Sequence, residues 1–345
     1  MIEKLKENPP WFFGLMFIIT FITCVIAGTQ WAFKDPHEIA NWQYGITYAI
    51  LILTFLSFHE FGHYIAAKIH KVDATLPFYI PFPFTFTLNF GTMGAVIRTK
   101  TMIPNRKALF DIGIAGPLSG FVVCLAFLIY GYSTLPGIEF IYHIHPDYVV
   151  HNAGVIPSSG VFFGKSLMIV IFENLFANTN GFIPPMNEIY HYPFLNVGWF
   201  GLFVTTLNML PIGQLDGGHI IYAMFGKLHS RIARIVWKIL ILFGIMGLIT
   251  VLYELFSIPY ETKWLNEISK TLVIPFKDVH DNYPFITSAW FGWLVWAMVT
   301  KFFIKLDHPP VYDDTKLGTG RMFLGFISIA ILILSFSYSG IYIIE

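Results

Sequence analysis

The chain has 345 residues, of which 21 are basic and 21 acidic, so its formal net charge is zero. Only 12% of residues are charged, 55% are hydrophobic, and 36 Phe, 17 Tyr and 9 Trp add up to more aromatic than charged side chains; a soluble domain carries roughly 25% charged residues. That composition excludes a water-soluble globular protein, and the lack of a basic patch away from membrane flanks speaks against nucleic-acid binding. The two cysteines, Cys24 and Cys124, fall in apolar runs and offer neither a disulfide framework nor a zinc ribbon. The composition is that of an all-α polytopic membrane protein with the lipid bilayer as a partner; its oligomeric state is not legible.

A helix that crosses a bilayer needs about 20 mostly apolar residues, and helices are favoured because lipid offers the backbone no hydrogen-bond partner. Seven runs qualify, at about 11–28, 43–67, 109–132, 194–212, 235–256, 284–304 and 322–342. The first reads as a retained span and not a signal peptide, because its apolar stretch is long and Glu3 and Glu7 dilute its charged end. With the N-terminus cytoplasmic, 16 of the 21 basic residues fall on the inner side, which orients the seven spans with the C-terminus outside. No internal repeat or inserted soluble domain is evident.

The second span carries Phe58-His59-Glu60-Phe61-Gly62-His63. Histidines at i and i+4 share one helical face, so His59 and His63 can hold one metal ion, with Zn²⁺ the usual occupant. Glu60 is placed to take a proton from an attacking water. The bland reading, two core histidines and an ion-paired glutamate, suits an apolar span poorly, since ionisable groups there are costly.

Next comes 76–100, LPFYIPFPFTFTLNFGTMGAVIRTK. Its prolines forbid a regular helix through 77–83. The stretches from Thr85 to Phe90 and from Thr92 to Arg98 are rich in strand formers, and Gly91 and Gly94 can turn the chain. This predicts a re-entrant β-hairpin dipping into the membrane from the cytoplasmic side, with a greasy surface loop as the alternative. An exposed strand edge there can accept an unwound substrate peptide, with Gly91 and Gly94 allowing close backbone approach. In the third span Gly116 and Gly120 are a small-xxx-small pair whose plainest use is helix packing.

The following outer stretch, about 133–193, includes a weak apolar run at 161–176, interrupted by Lys165 and Glu173, which predicts an interfacial or re-entrant helix. Its histidines His143, His145, His151 and His191 suggest no role.

The fourth span ends in Asn208-Met-Leu-Pro211-Ile-Gly-Gln-Leu-Asp216-Gly-Gly-His219. Catalytic zinc takes three protein ligands and keeps a position for water. Asp216 is the best third ligand, since Pro211, Gly213, Gly217 and Gly218 can break the helix and aim it inward; His219 is the runner-up. Asn208 either bonds between helices or donates to a substrate carbonyl. Gln214, His219, Asn105 and Arg106 are candidates for lining a water channel to the metal.

HEFGH in one span and NMLPIGQLDGG about 145 residues later resemble the HExxH and N-x-x-P-x-x-x-x-D-G motifs of the site-2 protease family of intramembrane zinc metalloproteases. The match runs through His59, Glu60, His63, Asn208, Pro211, Asp216 and Gly217. Gly94 to Lys100, Pro104 to Asp111 and Ala115 to Gly120 look like the branch of the plant chloroplast EGY proteases and their bacterial relatives. The resemblance covers roughly residues 50–226 and shows no evident PDZ domain. It implies a three-helix core around one zinc held by His59, His63 and Asp216, with Glu60 as base and a hairpin beside the site. The organisation expected is an N-terminal helix and outer loop at 1–42, a catalytic core at 43–226 and C-terminal helices at 227–345. The implied activity is zinc-dependent endoproteolysis within or near transmembrane segments of a membrane-protein or peptide substrate, as in regulated intramembrane proteolysis, in a bacterial inner membrane. Rival readings are a catalytically silent binder of membrane partners and a metal transporter; transporters more often show repeated halves and midplane sites.

Overall fold

A computed structural model describes residues 9–84, 89–178, 181–258 and 261–344. Three long apolar helices begin the chain: α1 (Pro10–Trp31), α2 (Ile46–Ile69) and α3 (Arg106–Ser133). Proline at the first position of α1 costs no hydrogen bond, and the Asn105 side chain caps α3 by accepting from the Ala108 amide at 2.9 Å. Between α2 and α3, β1 (Phe78–Pro81) pairs antiparallel with β2 (Thr92–Val96).

Four short elements follow: α4 (Glu139–Ile144), α5 (Pro146–Asn152), β3 (Gly160–Phe163) and α6 (Leu167–Phe176). Then come α7 (Pro193–Met209), α8 (Asp216–Phe225), α9 (His229–Ser257), α10 (Lys263–Asn282), α11 (Pro284–Thr287) and α12 (Gly292–Val299). A π-helical turn, Thr300–Ile304, prolongs α12. α13 (Thr319–Ser335) leads to β4 (Ile341–Ile344), which pairs antiparallel with β3.

The polarity of this bundle is inverted relative to a soluble protein. On α2, His59, Glu60 and His63 are buried while Phe58, Phe61 and Ile65 are exposed, an arrangement suited to a lipid solvent. α2 packs against α3 and α7, and α3 against α8. Cys124 of α3 lies against Gly201 of α7, where a Cβ would sit 2.1 Å from its sulfur. Asp111 of α3 accepts two hydrogen bonds from Arg321 of α13, at 2.7 and 2.8 Å, and lies 2.8 Å from His70 just past α2. That cluster fastens α13 to α3 and to the end of α2.

The spans depart from the expected seven in specific places. Among the described residues, four helical stretches are long and apolar enough to cross a membrane: α1, α2, α3 and the 42 residues Asp216–Ser257 formed by α8 and α9. The run at 194–212 is a 17-residue helix that stops at Met209, before Pro211. The run at 284–304 breaks into α11 and α12, because the chain turns at Trp290, whose amide donates to the Tyr338 carbonyl. The run at 322–342 is helical only to Ser335; beyond it Ser337 donates to the Gly164 carbonyl at 2.9 Å and the chain becomes β4. The partner of β4 comes from the 161–176 run, whose first residues are strand, so only Leu167–Phe176 is helix. The amphipathic α10 carries no long apolar run, so hydropathy alone passes over it.

The hairpin exists, with its first strand displaced. The expected strand from Thr85 to Phe90 lies partly outside the described residues, at 85–88. β1 instead uses the proline-bearing stretch FYIP, where an edge position tolerates proline; β2 falls within the expected second strand. The hairpin runs along α1: Phe78 packs on Phe12 and Phe13 near one end. Toward the other end, Thr23 donates to the Gly91 carbonyl at 2.7 Å and Trp31 donates to the Asn89 carbonyl at 2.9 Å.

Candidate metal centre

The HEFGH turns of α2 present His59 and His63 on the face that meets α3 and α7. Their Nε2 atoms are 3.2 Å apart. α7 ends at Met209, the chain turns through 210–215, and α8 restarts at Asp216. Gly217 makes this return possible: a Cβ there would lie 1.9 Å from the Met209 carbonyl oxygen. Asp216 Oδ2 is thereby set 3.3 Å from both imidazole Nε2 atoms.

These three donors form a nearly equilateral triangle. Tetrahedral coordination at zinc bond lengths of about 2.0–2.2 Å places donor atoms about 3.3–3.6 Å apart, so the donor set fits zinc in both chemistry and spacing. His63 donates its Nδ1 proton to the Ile112 carbonyl, 2.7 Å away, which leaves Nε2 with a free lone pair toward the triangle. Above the rings runs the glycine face of α3. A Cβ on Gly116 would fall 2.1 Å from His63 Nε2, and one on Gly120 would fall 3.2 Å from His59 Nδ1. The small-xxx-small pair thus does more than pack helices: it admits the imidazoles.

The triangle opens on a cavity of about 530 Å³. Glu60, Asn208, Gln214 and His219 line it, together with residues 95–99 that end β2 and follow it. Asn208 Nδ2 lies 3.4 Å from His59 Nε2. The expected runner-up, His219, is no member of the triangle: its Nδ1 is 2.7 Å from Nε2 of His308. Of the four residues expected along a water channel, Gln214 and His219 line this cavity, whereas Asn105 caps α3 and the buried Arg106 pairs with Asp314 at 2.6 Å.

Sequence reasoning missed His308, which lies between α12 and α13, stacks on Tyr222 at 4.4 Å and also lines the cavity. Burial, with His219 beside it, pushes its pKa down to about 3. No local motif marks it, and only tertiary packing brings it to the site. The two hairpin glycines differ. Gly91 (φ +74°) makes its close approach to α1, where a Cβ would meet the backbone of Thr23 and Cys24 at 2.5 Å. Gly94 (φ +96°) faces open space.

A sequence profile described as Peptidase family M50 matches residues 47–251, more than half of the chain. Curated relatives include "Probable zinc metalloprotease EGY1, chloroplastic" of Oryza sativa subsp. japonica, 29% identical over 62% of this chain and 37% of that protein. Its namesake in Arabidopsis thaliana is 30% identical over 51% of this chain and 29% of that protein. "Probable zinc metallopeptidase EGY3, chloroplastic" of Arabidopsis thaliana is 30% identical over 57% and 32%. The chain spans about a third of the length of these relatives. Their names place them in chloroplasts and lend no support to the expected bacterial inner membrane.

Proposed function

The chain belongs to peptidase family M50, and we propose that it is a zinc-dependent intramembrane endopeptidase that hydrolyses peptide bonds within or near transmembrane segments of membrane proteins. The observation that carries this reading is the triangle of His59, His63 and Asp216 donors at 3.2–3.3 Å on a cavity that also holds Glu60. His59, His63 and Asp216 hold the metal. When bound, zinc supplies Lewis acidity toward the scissile carbonyl and lowers the pKa of water at the site.

The chain's own groups divide the remaining work. Glu60, buried beside the ligands, takes the proton of the attacking water and later delivers it to the leaving amine nitrogen. Asn208 turns its amide toward the carbonyl oxygen, where negative charge develops. The unwound substrate adds as a strand beside residues 92–98, with Gly94 facing the open side. An apolar cavity of about 490 Å³ backs on Pro211 and Gly217, a surface suited to a hydrophobic substrate segment.

In this reading residues 43–226 are the catalytic core, flanked by 1–42 and 227–345. The hairpin lies at membrane depth, as its contacts along α1 support. α7, α12 and α13 complete seven crossings, and the N-terminus lies on the basic-rich side with the metal centre.

Glu60→Gln tests the chemistry. In purified full-length protein reconstituted with a membrane-anchored substrate, cleavage falls by about 10²–10⁴-fold with zinc content unchanged. Cleavage at the parent rate removes Glu60 as the base. A metal-loaded parent that binds such substrates and cuts none favours the silent binder.

A further inference from the structure

The proposed hydrolysis leaves a buried constellation of two histidines and a glutamate unused. His145 opens α5, Glu188 and His191 precede α7, and all three side chains are buried. α7 starts beside this cluster, and Asn208 lies 15 residues along it from Pro193, which at 1.5 Å per residue is about 23 Å. The Nε2 atoms of His145 and His191 face each other at 2.9 Å. Glu188 Oε2 lies 3.4 Å from the His191 nitrogen and 3.9 Å from that of His145. That carboxylate oxygen is inaccessible to solvent and has no hydrogen-bond partner among the described residues, and Glu188 as a whole is 1% exposed. An acceptor stranded in this way is costly unless something else satisfies it.

The outward-facing atoms of the trio are all engaged or placed to be. His191 donates Nδ1–H to the Trp31 carbonyl at 2.9 Å, which leaves its Nε2 with a lone pair. Tyr148 donates its hydroxyl to Glu188 Oε1 at 2.9 Å, leaving Oε2 for the centre. His145 Nδ1 is 4.0 Å from Asp147 Oδ1. Outer hydrogen bonds that orient imidazole and carboxylate toward one point are the usual surroundings of a metal. Aromatic rings enclose the cluster: Tyr148 stacks on His145 at 4.6 Å, and Phe33 lies over it at 4.5 Å. Phe33 adopts φ +58°, an unfavourable conformation for a bulky side chain, just past the end of α1.

We propose that His145, Glu188 and His191 form a second divalent-cation site, of zinc class, that clamps the end of α1, the α4–α5 segment and the start of α7 at the opposite end of the molecule from the first site. Two imidazoles and one carboxylate suit zinc. Asp147 stands on the outer, Nδ1 side of His145, away from the point the three donors share, and aromatic rings close over the cluster, so the role is structural.

The test is a titration of metal-stripped, full-length protein in detergent with Zn²⁺ alone, read by bound-metal analysis and by the Zn²⁺-dependent rise in Tm. The parent binds two equivalents. Asp216→Asn keeps one, with its Tm rise intact. Glu188→Gln, which can still accept from Tyr148, also keeps one, and the double variant keeps none. His145→Phe, which preserves a ring between Tyr148 and Phe33, repeats the Glu188→Gln result by a second route. Parent stoichiometry in Glu188→Gln and His145→Phe overturns the proposal in favour of a plain hydrogen-bonded His–His–Glu cluster. So does an Asp216→Asn protein that binds no zinc. Failure of the first site alone appears differently, as unchanged stoichiometry in Asp216→Asn with loss in Glu188→Gln.

Discussion

Two trios, each of two histidines and one carboxylate, stand at opposite ends of α7, and their surroundings differ. Around His59, His63 and Asp216 there is a cavity, a glycine face of α3 that admits the rings, and the further polar groups Glu60 and Asn208. Around His145, Glu188 and His191 there are aromatic rings and hydrogen-bonded neighbours that fill the space. The donor set decides whether a cation can be held. A base, a carbonyl donor and room for water and peptide decide whether anything can be done with it. Closed metal sites are structural and sites with an open position are catalytic; on the readings proposed above, the two trios fall on either side of that line.

The comparison can be broken most sharply without touching a polar group. Gly116→Ala puts a methyl 2.1 Å from His63 Nε2, so the α2 trio loses its metal and cleavage falls below detection while the α7-entrance trio keeps its zinc. Metal analysis of the purified variant, paired with a cleavage assay, checks this; an active protein with full metal content would show that α3 can retreat. Asn208→Ala has the next largest effect. It lowers kcat by about 10²–10³-fold, as for loss of one carbonyl donor, and leaves both metals bound. An unchanged kcat would return Asn208 to interhelical bonding.

The smallest effect concerns His308. Its folded pKa of about 3 lies below the unfolded value of about 6.5. It therefore folds neutral, and its contribution to stability is whole above pH 6.5 and declines as the pH falls toward 3. Thermal unfolding of His308→Gln and parent should show the parent's advantage narrowing between pH 7 and pH 5. A gap that stays constant would mean that protonation at His308 is not linked to folding.

How much of this was legible follows from the distance over which each signal acts. His59, Glu60 and His63 sit within five residues on one helix, so spacing alone reveals a shared face. Asp216 was reachable because Pro211 and the following glycines announce a broken helix beside a carboxylate. His145 and His191 are 46 positions apart, belong to different short elements and match no spacing rule, so the second trio has no local signature. The hairpin's second strand was visible in its strand formers. Its first strand was not, because prolines lower strand propensity and only an edge position along α1 redeems them.

The amino-acid order by itself determined the long apolar runs and the helical face that His59 and His63 share, with Glu60 next to it, because apolar run length and helical periodicity are properties of consecutive residues. Only the tertiary structure decided which apolar runs remain single helices, that Gly116 makes room for an imidazole, and that two outer histidines meet a buried glutamate. Those outcomes depend on which surfaces share the same few ångströms of space, and close packing between distant segments sets that.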